Sequence, residues 1–278
     1  MSCAALCLLM VLVPQVLAAQ GAPLFEPRPE AFPHPHLYTG GWEHFVGGGV
    51  AVMDCNGDSL PDIVAAGGES PARLFLNTTP EPGAPILFAS GDFPDLRGVT
   101  GAYPLDVDGD GILDLAILRV GANMLLRGDG ACGFVDASQD WGFDGGDRWT
   151  TAFSATWASG QSRPTMAFGN YVNRDAPEGP FGACDDHALY RPEGNNYGAP
   201  LTLSPGYCAL SMLISDWRRD GVPELRISND RHYYLRGGYE EMWRLSPLVS
   251  RTEADGWDKV SLWGMGIASA DLTGDGFP

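Results

Sequence analysis

Oxygen donors recur in this chain at spacings that suit a hard cation. The first group lies in Asp54-Cys55-Asn56-Gly57-Asp58-Ser59-Leu60-Pro61-Asp62, the second in Asp106-Val107-Asp108-Gly109-Asp110-Gly111-Ile112-Leu113-Asp114. A third match begins at Asp271-Leu272-Thr273-Gly274-Asp275-Gly276-Phe277-Pro278. Calcium takes about six to eight oxygens, and acidic side chains alternating along a tight loop can deliver them together with a backbone carbonyl. Glycine at position 4 or 6 lets the chain turn back around the ion. The expected ligands are Asp54, Asn56, Asp58 and Asp62 with the Leu60 carbonyl, then Asp106, Asp108, Asp110 and Asp114 with the Ile112 carbonyl. Asp271, Thr273 and Asp275 start the third set. The second loop has only carboxylates among its side-chain ligands and is expected to bind Ca2+ more tightly than the first.

Two altered copies lie between. Trp157-Ala158-Ser159-Gly160-Gln161-Ser162-Arg163-Pro164-Thr165 aligns with the first loop without a gap but has lost every carboxylate, so no ion is expected there. Asp216-Trp217-Arg218-Arg219-Asp220-Gly221-Val222-Pro223-Glu224 keeps acids at positions 1, 5 and 9 and places Arg218 at position 3. A guanidinium among carboxylates can replace an ion's charge. Arg218 is therefore expected to act as a built-in cation. Helical calcium loops carry their last acidic ligand at position 12. Here that position is Ala65 or Ile117, and the flanks read as strands. A saturated oxygen cage leaves no open coordination position, so the metal is expected to be structural and the protein not to be an enzyme.

The elements that must hold these loops repeat with them. Loop starts fall at residues 54, 106, 157, 216 and 271. In the first unit, Gly49-Val50-Ala51-Val52-Met53 precedes the loop and Asp62-Ile63-Val64-Ala65-Ala66 follows it. Arg73-Leu74-Phe75-Leu76-Asn77 and Ile86-Leu87-Phe88-Ala89 complete that unit, and the second repeats the plan. Four short strands per unit of roughly 50 residues is the pattern of a propeller blade. The expected fold is an all-β propeller with about four to five four-stranded blades, C-terminally incomplete. Residues 41–278 form the repeats, with an insertion at about 170–205 and a proline-rich lead-in over 20–40. The chain is expected to be a fragment.

A formal charge of -18 repels nucleic acid and anionic lipid, so neither is an expected partner. Residues 4–14 are apolar and are followed by small residues at Ala18 and Ala19. This reads as a signal peptide over residues 1–19, with no membrane insertion after cleavage. A secreted, periplasmic or cell-surface location follows. Cys55, Cys132, Cys184 and Cys208 then remain and allow three pairings. Cys184 with Cys208, closing a Gly/Pro/Asn-rich loop, is the favoured pair.

The pattern Asp-x-Asp/Asn-x-Asp-Gly-x-x-Asp, preceded by glycine-rich turns, resembles the FG-GAP/VCBS repeat of integrin alpha-type β-propellers. Gly47-Gly48-Gly49-Val50-Ala51-Val52-Met53-Asp54 and Trp263-Gly264-Met265-Gly266-Ile267-Ala268-Ser269-Ala270-Asp271 look like the version in bacterial relatives of the cartilage acidic protein family. The resemblance runs from about Tyr38 to the end and carries over to the loops at 54 and 106 and the visible part at 271. It implies a calcium-binding module for adhesion or binding, meeting a protein or carbohydrate ligand on its loop face. Such repeats specify fold and metal better than function. The alternatives are a propeller-class enzyme acting on polysaccharide and a structural surface or matrix component.

Other features carry less. His34 and His36 form a His-x-His pair in a proline-rich stretch and read as ordinary extended loop. Asn77-Thr78-Thr79 fits a glycosylation acceptor. Tyr233, Tyr234, Tyr239, Trp243 and Trp257 read as blade core rather than a sugar platform. No nucleophile elbow or phosphate-cradling motif occurs.

Overall fold

The computed structural model describes residues 25–177, 182–230 and 238–276. The expected signal peptide, His232, Tyr233, Tyr234, Phe277 and Pro278 lie outside the described residues.

Each unit is a meander of antiparallel strands, as its turn-punctuated β-rich runs require. The first blade contains β1 (Val50–Met53), β2 (Asp62–Ala65), β3 (Arg73–Asn77) and β4 (Phe88–Ser90), paired in that order. The second contains β5 (Val99–Leu105), β6 (Asp114–Ala122), β7 (Met124–Gly128) and β8 (Phe134–Asp136). The third is built from β9 (Asp147–Thr156), β10 (Thr165–Asn170) and β11 (His187–Tyr190), with a hairpin of β12 (Pro192–Glu193) and β13 (Asn196–Tyr197) before its outer strand β14 (Leu201–Leu203). The fourth contains β15 (Ala209–Ser215), β16 (Glu224–Asn229), β17 (Glu241–Leu245) and β18 (Leu248–Ser250). The stretch 170–205 thus supplies the outer strands of the third blade, and the β12–β13 hairpin is its added piece.

The first strands of the blades, β1, β5, β9 and β15, lie side by side. They line a cavity of about 700 Å³ with Val50, Val52, Thr100, Tyr103, Thr151 and Leu210, joined by Met265 from the fifth unit. That unit forms no strand among its described residues, but its Ile267 amide donates to Ser211 Oγ at 3.2 Å, beside β15. A fan of four-stranded sheets with their first strands together around a central cavity is a propeller.

The core sits between blades rather than inside them. Val64 and Leu74 of the first blade pack with Leu115, Ile117 and Leu126 of the second. Ala116, Leu118 and Leu125 on the second blade's other face pack with Phe153, Met166 and Phe168 of the third. Ala167 and Leu189 meet Leu225, Ile227 and Trp243 of the fourth. A middle blade is covered on both faces, so Leu115-Ala116-Ile117-Leu118 is a continuous buried run and not an alternating one. Two disulfides, Cys55–Cys132 and Cys184–Cys208, staple this arrangement. Among the described residues no helix is long and apolar enough to cross a membrane.

Candidate metal centre

The first four loops connect the first two strands of their blades, and a common set of bonds shapes those that begin with aspartate. The position-1 aspartate folds the loop around itself. Asp106 Oδ1 accepts the Gly109 amide at 2.7 Å and Oδ2 accepts that of Gly111 at 2.9 Å. Asp54 receives Gly57, Asp58 and Ser59 in the same way, and Asp271 receives Gly274 and Gly276. Gly57, Gly109 and Gly274 all have positive φ at position 4, a conformation that costs a side chain but not glycine.

The position-9 aspartate has a role that sequence reasoning missed. Asp114 is fully buried; its Oδ2 accepts the Val107 amide at 2.8 Å and its Oδ1 the Gly128 amide at 2.9 Å. Asp62 repeats this with Cys55 at 3.1 Å and Asn77 at 2.9 Å. Each bolts its loop to the last residue of the blade's third strand. A hint was present in the sequence, since position 9 is also the first residue of a strand that must be buried.

The second loop brings oxygens together. Asp106, Asp108 and Asp114 each offer one within 4.8 Å of the others. Asp108 Oδ1 is buried without a hydrogen-bond partner, and its Oδ2 lies 3.4 Å from Arg127 Nε. A buried, unpartnered carboxylate oxygen is costly unless something binds it. Burial, first, and the charges of Asp108 and Asp110 push the Asp114 carboxyl up to about 6, against the lowering effect of its two backbone bonds. Excess negative charge and an orphaned hard donor both fit a cation. Asp110 stands outside the trio; its Oδ1 takes the Ile112 amide at 2.8 Å.

The first loop is more self-satisfied. Asn56 Nδ2 donates to Asp58 Oδ2 at 3.0 Å, and Asp58 Oδ1 accepts the Leu60 amide at 2.8 Å. Its carboxylates do not form a comparable trio among the described residues. Asp62 instead lies against the Cys55–Cys132 disulfide, with its Oδ2 3.0 Å from Cys55 Sγ. Those sulfurs bond each other and carry no thiolate for a metal.

The carboxylate-free loop packs on its neighbour. A Cβ at Gly109 would lie 2.9 Å from Ser162 Cβ, and Arg163 is buried with its guanidinium over the Trp141 ring, which Arg127 also covers. In the fourth loop, Arg218 Nε donates to Asp220 Oδ2 at 2.8 Å and a terminal nitrogen lies 3.5 Å from Glu224 Oε1. Glu224 is held more closely by Arg251, through Nε at 2.9 and 3.1 Å and a terminal nitrogen at 2.5 Å. Nothing in the sequence marked Arg251.

The remaining candidates disperse. His34 reaches Ser90 Oγ and His36 the Ala66 carbonyl, so the pair does not converge. Asn77 is turned in, with Nδ2 on the Pro61 carbonyl and Oδ1 receiving Thr79. Trp243 is core, whereas Tyr239 meets Tyr207 and Lys259, and Trp257 meets Arg226.

Loops of hard oxygen donors on a fan of four-stranded blades define a class: repeat propellers whose acidic clusters can hold a metal ion. Residues 54–117 match the FG-GAP-like repeat family, and the chain that carries this repeat folds as an all-β propeller. That architecture supports a binding or adhesion type of module. No curated protein matches its sequence. Among solved structures it is similar to BBS1N, crystallised in complex with ARL6DN and soaked with lead, at 11% identity and a TM-score of 0.43, covering 72% of this chain and 54% of that one. It is also similar to the exotype rhamnogalacturonan lyase YesX, at 10% identity and a TM-score of 0.36, covering 73% of this chain and 45% of that one. The chain therefore spans about half the length of these structures.

Proposed function

We propose that the chain is an exported calcium-binding propeller acting as a binding or adhesion module, with Ca2+ serving structure. The observation that carries the metal is Asp108 Oδ1, buried and unpartnered beside oxygens of Asp106 and Asp114. All donors in the loop are oxygen, the preference of Ca2+ rather than of zinc or copper. An ion there would tie the turn between β5 and β6 and offset the clustered charge. Two disulfides support export, because such bonds persist in oxidising compartments. The partner is a protein or carbohydrate that meets the loop face.

Calorimetric titration with Ca2+ and thermal melting test the metal. Saturation at a hundred times Kd should stabilise the chain by about 2.7 kcal/mol. Asp108→Asn should remove most of that gain. A melting temperature indifferent to both EDTA and Ca2+ would sink the reading.

A further inference from the structure

We infer that the fourth loop is a cation site whose cation is the chain's own: the guanidinium groups of Arg218 and Arg251 occupy the place that Ca2+ takes in the second loop. The inference rests on the calcium reading only for that comparison; the arginine contacts stand by themselves.

The loop is folded like its metal-binding counterparts. Asp216 Oδ2 accepts the Gly221 amide at 2.8 Å, as Asp106 accepts Gly111, and Asp220 Oδ1 accepts Val222 at 3.0 Å, as Asp110 accepts Ile112. The difference begins at position 9. Glu224 is one methylene longer than Asp114 and turns both oxygens toward side chains. Trp217 Nε1 donates to Oε2 at 2.8 Å, and Arg251 grips both oxygens from the end of β18. Glu224 and Arg251 are both buried. Arg218 then bridges Glu224 and Asp220.

Charge follows geometry. The guanidinium groups of Arg218 and Arg251 stand against Asp220 and Glu224, so the three acids of this loop carry little excess negative charge to attract an ion. Desolvation raises the Glu224 carboxyl, but the bonds from Arg251 and Trp217 and the two arginine charges outweigh it, and it titrates below the usual glutamate range. The second loop is the opposite case, a carboxylate cluster with an orphaned oxygen. To enter the fourth loop, a metal would have to break a buried bidentate pair, which is strongly unfavourable. Arg218 alone is not the lock. Arg251, 27 residues beyond Glu224, is the nearer and more complete partner.

Hydrogen exchange on the full chain, with Ca2+ and with EDTA, reads this directly. EDTA should deprotect residues 106–114 and leave 216–224 unchanged; EDTA-induced deprotection of 216–224 would overturn the inference. Arg251→Met should speed exchange at 216–224 at least tenfold under both conditions while sparing 106–114, and unchanged protection there would equally overturn it. Arg218→Asp should add no calcium site by calorimetry, since Arg251 still saturates Glu224; one added site would refute the role of Arg251. If residues 106–114 ignore EDTA, the calcium reading fails, while the Arg251→Met arm still decides the arginine lock.

Discussion

Arg127 Nε stands 3.4 Å from Asp108 Oδ2, while the other oxygen of Asp108 has no partner. The guanidinium takes one oxygen of this carboxylate and leaves the other bare. It also rests 4.9 Å over the Trp141 ring, so it is held in place by more than the charge. With Ca2+ bound, two cations would face one another across Asp108. Arg127→Met should therefore strengthen calcium binding, by on the order of tenfold in Kd, the equivalent of about 1.4 kcal/mol. Weaker binding in calorimetry would show that Arg127 acts by orienting Asp108 instead.

Two carboxyls predict opposite responses to pH. The folded Asp114 carboxyl is raised to about 6, so its contribution to metal-free stability is full below the unfolded aspartate pKa and is lost as pH rises toward 6. Ca2+ favours the ionised form, so calcium affinity should fall as pH drops through about 6, with proton release on binding. Titrations from pH 5 to 8 in buffers of different ionisation enthalpy measure both.

Glu224 is depressed, so its contribution is present above the unfolded glutamate pKa and lost as pH falls through its lower folded value. Amide protection at 216–224 should survive mild acid and collapse only below the ordinary glutamate range. Loss of protection near neutral pH would contradict this.

The Cys55–Cys132 bridge joins the first loop to the turn between β7 and β8 on the next blade. Its 77-residue separation closes a long loop. Replacing both cysteines with alanine should cost about 2–5 kcal/mol in chemical denaturation. Exchange protection should fall in residues 54–62 before it falls in 106–114.

Gly109 and Gly111 separate backbone strain from crowding. Both have positive φ, but a Cβ at Gly109 meets Ser162 and one at Gly111 meets nothing. Alanine at 111 should cost about 1 kcal/mol, the conformational penalty alone. Alanine at 109 should cost clearly more, read from denaturation midpoints.

Much of the propeller was legible in the chain because its determinants are local. Turn residues at fixed offsets, four short β-rich runs and a loop recurring at residues 54, 106, 157, 216 and 271 need no distant contact to be read. The donor types at positions 1, 3 and 5 were equally open to inspection. So was the loss of carboxylates between Trp157 and Thr165.

What tertiary structure decided is where distant residues meet. Asp62 and Asp114 bolt loops to third strands. Ser162 closes over Gly109, and Cys55 pairs with Cys132. Arg251 reaches Glu224 from the far end of its blade. None of these follows a sequence period, because each depends on how one sheet twists and stacks against the next. The repeat by itself determined the kind of loop. Packing around each copy decided whether a bare carboxylate oxygen, a disulfide or a guanidinium would stand beside it.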